Sequence, residues 1–184
     1  VCSSDLSGFV SGPWDGFYTA LYQVNSLIVA LDKLAASQSR NEILGVASFF
    51  RGLIYYHLVS RYGEVPILEA PFSGDIAAST EEEGWSFVEK NFQVAIDYAP
   101  TFSDKYYVSK QAAKALMART KLAQGKLTEA AKLAEEVIGD ANFSLADFDQ
   151  IFRGKANREE IFSFVNLLNE SSVNLSASLY SRAS

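Results

Sequence analysis

Residues 109–139 read SKQAAKALMARTKLAQGKLTEAAKLAEEVIG, and two helices joined by a tight turn are legible in that run. Ser109 can cap a helix that carries Ala112, Leu116, Thr120 and Ala123 along one face, and Gly125 ends it. A second helix is predicted from about Leu127 to Ile138, with Gly139 as its stop. The turn Gly125-Lys126 is so short that the two helices must fold back as an antiparallel pair. Ala118 in the first helix and Ala134 in the second leave room for the backbones to approach.

These details match a tetratricopeptide-like unit, whose repeat wants small residues where its two helices touch. Leu127 follows the turn and Glu129-Ala130 starts the second helix, as that pattern expects. The same 3.6-residue period runs upstream. Phe17, Leu21, Val24, Ile28, Leu31 and Ala35 form one stripe behind Pro13, which suits a first helical turn. A helix from near Asn41 places Ile43, Ala47, Phe50, Ile54 and His57/Leu58 on one face and ends at Gly63, with Pro66 beyond. Thr80-Glu81-Glu82-Glu83 reads as a capping box that starts a third helix, whose stripe is Trp85, Val88, Phe92, Ala95 and Ala99, stopped by Pro100. Downstream of Gly139 the period weakens to a short turn around 147–152. Ile161-Phe162-Ser163-Phe164-Val165 suits a strand better.

Composition closes off several functions. The chain has 184 residues, 48% apolar and 21% charged, enough for a sizeable core and unlike a disordered tail. Its net charge of −6 is a poor match for general nucleic-acid binding. One cysteine excludes an internal disulfide, and one histidine, His57, excludes a His-based metal cluster, so no metal or cofactor is expected. No apolar run approaches a membrane span, and no basic-then-apolar signal peptide opens the chain. No glycine-rich phosphate loop, nucleophile elbow or suitably spaced carboxylate pair is present. The hexapeptide Val1-Cys2-Ser3-Ser4-Asp5-Leu6 resembles a translated sequencing-adapter tail, and Cys2 is expected to be no functional cysteine. Both ends read as cut, so the chain is expected to be an internal fragment.

The block Phe49-Phe50-Arg51-Gly52-Leu53-Ile54-Tyr55-Tyr56-His57-Leu58-Val59-Ser60-Arg61-Tyr62-Gly63-Glu64-Val65-Pro66-Ile67 is more specific than a generic helix. It resembles the signature of SusD/RagB-type nutrient-binding lipoproteins: an arginine, a small residue, paired aromatics, a leucine, then Tyr-Gly-acid-Val-Pro. Residues 14–25, 85–96, 109–152 and 157–164 resemble further family blocks in the family's order, so the likeness spans roughly 14–165. The resemblance implies an all-α fold: tetratricopeptide-like helix pairs forming an α-superhelix, with a small extended element near the C-terminal end. Residues 1–13 would be a non-native or irregular leader and 14–152 the helical region. Residues 153–184 would be an extended segment and the truncated tail of a larger domain.

It also implies a surface lipoprotein of an outer membrane that is not an enzyme and needs no cofactor. Such a protein holds an oligosaccharide or other nutrient for a SusC-like TonB-dependent transporter. The membrane attachment would be a lipid anchor absent from this fragment; Cys2 lies too close to Trp14 to be it. Sugar sites need exposed rings, and Trp14, Tyr106 and Tyr107 are the candidate ligand-binding residues. Arg51 and Arg61 are expected to tie helix to loop, with ligand contact as the alternative; His57 is expected in the core. The stretch 105–132 carries Lys105, Lys110, Lys114, Arg119, Lys121, Lys126 and Lys132 against Glu129 alone. It is expected to rest on the acidic third helix, an anionic ligand being the alternative. A helical-repeat adaptor that binds a protein or peptide remains the alternative function.

Overall fold

The computed structural model describes residues 7–72, 74–152 and 157–164. Among the described residues there are six helices: α1 (Ser7–Leu31), α2 (Gln38–Tyr62), α3 (Glu81–Tyr98), α4 (Lys110–Ala123), α5 (Leu127–Ile138) and α6 (Phe148–Phe152). Each of the first four packs on the next, and α2 also touches α4. Successive helices run antiparallel. Trp14 meets Tyr62 at one end of the α1/α2 pair while Arg40 Nε donates to the Leu31 carbonyl at the other. This is the all-α, tetratricopeptide-like arrangement the sequence implies.

The helix ends follow local chemistry. Ser37, Thr80 and Ser109 each accept a backbone N–H in the first turn of α2, α3 and α4. Thr80 and Glu83 form the full reciprocal capping box. Gly63 closes α2 at φ 72° and donates to the Val59 carbonyl; Gly125 turns between α4 and α5 at φ 73°. Two starts differ from expectation. Helix α1 begins at Ser7, so Pro13 lies inside it instead of in its first turn. Helix α2 begins at Gln38, because Ser37 supplies the cap ahead of Asn41.

The core lies between α2 and α3. Phe49, Tyr55, Leu58, Val88, Phe92 and Ala95 are fully buried there; each large apolar side chain contributes about 1.5–3 kcal/mol. The buried face of α2 is rotated from the predicted stripe. Phe49 and Tyr55 point inward, whereas Ile43 is 45% exposed. Close approach explains the small residues. A Cβ on Gly45 would lie 2.3 Å from the backbone N of Ala99, and one on Gly84 would lie 2.7 Å from Val59. Helix α2 is long and apolar enough to cross a membrane, contrary to the sequence expectation. Because 56% of its apolar window is buried against neighbouring helices, it is a core helix.

The segment expected as a strand joins no ladder among the described residues. Ser163 N donates to the Lys105 carbonyl at 2.8 Å, and Phe162 packs edge-on against Phe49 at 5.1 Å. Val165 lies outside the described residues, as do residues 1–6 with Cys2. Elsewhere an isolated bridge pairs Val65 with Ser79.

Candidate functional site

The signature block builds a buried polar clamp. Arg51 is 8% exposed in the middle of α2. Its Nε donates to Asn91 Oδ1 of α3 at 2.6 Å, and its Nη1 donates to Asn25 Oδ1 of α1 at 3.4 Å. The guanidinium lies 5.3 Å over the Phe87 ring, a cation–π contact. Burial pushes its pKa down, with more distant carboxylates opposing. One fork thus bridges three helices: the role is structural, but it ties helix to helix where a helix-to-loop tie was expected. Gly52 follows because a Cβ there would meet the Phe92 ring at 2.9 Å.

The exit from α2 is fastened by the same residues. Tyr55 Oη accepts the Leu68 N–H at 2.6 Å and donates to the Pro66 carbonyl at 3.2 Å. Tyr18 Oη donates to that carbonyl at 3.0 Å, and Asn25 Nδ2 donates to the Leu68 carbonyl at 2.8 Å. Burial pushes both phenols up, Tyr55 to about 12. The Tyr-Gly-acid-Val-Pro motif therefore sets the path of the chain towards α3. Beside it lies a groove of about 570 Å³ whose polar edge includes Glu69, Ser86 and Lys90. Lys90 pairs with Glu69 at 3.2 Å. Phe72, in the loop beyond, is 49% exposed, an accessible ring that the helix-stripe reading missed because it lies in a loop.

Of the predicted ligand residues, Tyr106 and Tyr107 are exposed, at 46% and 69%. Asp104 braces them: its Oδ1 accepts the Tyr106 N–H at 2.9 Å and its carbonyl accepts the Tyr107 N–H at 3.2 Å. Lys105 lies 5.2 Å over the Tyr106 ring and pairs with Glu160. The loop is thereby a fixed platform for two rings. Trp14 is not an open ring. It is partly buried, packed 4.9 Å from both Tyr18 and Tyr62. It sits near the α2 C-terminus, whereas Tyr106 and Tyr107 follow the α3 end that abuts Gly45. At 1.5 Å per residue the two places are roughly 25 Å apart along α2.

The basic stretch is largely neutralised within the molecule. Glu89 of α3 receives Lys121 and Lys126, each at 2.8 Å, and Gln124 at 2.7 Å. Lys121 also pairs with Glu129, and Lys114 with Glu136. Burial raises the pKa of Glu89, but its donors outweigh that and hold the carboxyl below its ordinary range. His57 is half-buried and stacked on Phe17, and burial, then Arg61 and Arg119, push its pKa down. Arg61 is exposed and lies over Phe17, and among the described residues it fastens no loop, contrary to expectation. Among the described residues no group of three or more His, Cys, Asp or Glu could hold a metal.

The fold is one of tetratricopeptide-like helix pairs that carry a clamped exit loop. The chain belongs to the SusD-like family, described as starch-binding and associating with the outer membrane, whose model matches residues 9–122. It is 28% identical over 159 residues to a SusD-like protein of Formosa agariphila, covering 80% of this chain and 32% of that one. A SusD-like protein of Bacteroides ovatus is 23% identical over 171 residues, covering 82% of this chain and 31% of its own. Among solved structures, a laminarin-binding SusD-like protein superposes with a TM-score of 0.75 at 25% identity, covering 82% of this chain and 36% of that one. The chain spans about a third of the length of the curated relatives it matches.

Proposed function

We propose that this chain is the N-terminal helical part of a protein that captures glycans at the outer-membrane surface for import. The observation that carries the reading is the family match over residues 9–122; the laminarin-binding relative is consistent with it. The helices form part of a larger domain, held to the outer membrane through a lipid anchor. Capture is by binding, without bond cleavage. The braced rings Tyr106 and Tyr107 stack on sugar faces, and Phe72 with the Glu69–Lys90 groove offers a second, more polar contact. Trp14 contributes by fixing the α1/α2 end rather than by an open face. The receiving partner is a SusC-like TonB-dependent transporter.

Calorimetric titration of the full-length protein with neutral oligosaccharides tests the proposal. Saturable binding is expected, weakened at least tenfold by Tyr106→Ala with Tyr107→Ala, without release of new reducing ends. No binding to any oligosaccharide across a broad screen would sink the reading. Cofractionation of a TonB-dependent transporter with the protein from outer membranes tests the partner. The apolar face of α4 and α5, with Leu122, Leu127 and Ile138 exposed, favours a second reading, a helical adaptor for another protein. Capture of a helical peptide with no saccharide binding would support that alternative.

A further inference from the structure

Five side chains form a continuous ladder across α1, α2 and α4. The Arg61 guanidinium lies 5.6 Å over the Phe17 ring. Phe17 stacks on His57 at 5.9 Å with the planes 11° apart, and His57 meets Tyr56 edge-on at 5.5 Å. Arg119 of α4 completes it, 5.6 Å over the Tyr56 ring. Both arginines are exposed, and the three rings between them are half-buried.

Glu81 and Glu89 of α3 are engaged away from this ladder. Among the described residues, no carboxylate lies within 4 Å of Arg61 or Arg119, although Lys105, Lys114, Lys121 and Lys126 all find one. Glu81, at the start of α3, accepts from the Trp85 indole at 2.9 Å. Glu89 is taken by Lys121 and Lys126. Two unpaired planar forks thus face solvent on a protein of net charge −6. A guanidinium anchored over a ring and exposed to solvent keeps N–H donors available, and its planar fork matches a carboxylate or sulfate.

We propose that this ladder recognises an acidic oligosaccharide, whose carboxylate or sulfate groups seat on Arg61 and Arg119 while sugar rings lie along Phe17 and Tyr56. Three rings lie between the two cations along the ladder, an arrangement that suits anionic groups recurring along an extended chain. The half-exposed rings favour a saccharide, whose sugar rings present flat C–H faces to lay on them, over acidic protein side chains, whose short methylene stems offer no such face. The inference rests on the glycan-capture reading and assigns part of its ligand chemistry to a place distinct from Tyr106 and Tyr107.

The test titrates the full-length protein with oligogalacturonate, a sulfated oligosaccharide, a neutral oligosaccharide of equal length and oligoglutamate. Acidic saccharides are expected to bind at least tenfold tighter than the neutral one, the uronate and sulfate arms identifying the preferred group. Arg61→Gln with Arg119→Gln is expected to remove that preference, with the helical circular-dichroism signal unchanged. Lys33→Gln with Lys132→Gln removes the same charge from exposed sites elsewhere and is expected to preserve it. An equal loss in both double variants, no preference for acidic saccharides, or oligoglutamate binding as tightly as oligogalacturonate would overturn the inference. Neutral binding without acidic preference overturns this inference alone, whereas no saccharide binding at all also removes the capture reading beneath it.

Discussion

At the scale of single residues, Arg51 shows how a family signature encodes packing. A buried cation is tolerated when its donors are satisfied, and here two asparagine carbonyls and an aromatic face replace water. Removing the guanidinium orphans the Oδ1 atoms of Asn25 and Asn91 inside the core. Arg51→Ala is therefore expected to lose about 3 kcal/mol of unfolding free energy in urea titrations. Arg51→Lys should recover only part of that, because one ammonium cannot reproduce a fork that reaches α1 and α3 together. The sequence marked Arg51 as a structural arginine but not its partners. Asn25 and Asn91 lie 26 and 40 positions away, beyond the reach of local spacing. Trp14 failed as an open ring for a related reason: only the return of α2 brings Tyr62 against it.

At the scale of helices, the α2/α3 contact is governed by glycine and the α3/α4/α5 contact by charge. Gly45→Ala would drive a methyl into the backbone at Ala99, with no flexible side chain to give way. It is expected to destabilise by about 1–3 kcal/mol, seen as a lowered Tm. The charged contact predicts a pH dependence. The Glu89 carboxyl is held below its ordinary 4.5, so its contribution is present above that pH and fades as pH falls through the lower folded value. Glu83, Glu136 and Asp140 are shifted in the same direction. Unfolding midpoints should fall below pH 4.5, and Glu89→Gln should flatten that slope. Caps and turns at Thr80, Ser109, Gly63 and Gly125 were legible because their signals are local. The inward turn of Phe49 in place of Ile43 was not, since an apolar helix offers more than one stripe and α3 selects among them.

At the scale of the whole molecule, the described helices leave one broad apolar face. Leu122, Leu127 and Ile138 are 59%, 64% and 78% exposed around an alanine-floored groove of about 520 Å³ on α4 and α5. An apolar face of that kind binds hydrophobic dyes and promotes association. The 184-residue chain is expected to enhance anilinonaphthalene sulfonate fluorescence and to sediment faster with rising concentration. Leu127→Glu with Ile138→Glu should suppress both. Unchanged sedimentation across a hundredfold concentration range would count against this account.

The fastening of the α2 exit loop has an optical consequence. Nine tyrosines are present, but Tyr18 and Tyr55 share the Pro66 carbonyl and are shielded from hydroxide. Alkaline difference spectra should therefore show these two chromophores silent well past pH 10, the ordinary phenol value. Neutral phenols stabilise the fold up to the ordinary value and lose that contribution as pH rises through the folded one. Their late ionisation would arrive with loss of the loop, so absorbance near 295 nm becomes a built-in gauge of when α1 lets go of α2. A Tyr18→Phe chain should lose one of the two delayed signals and bring the other forward.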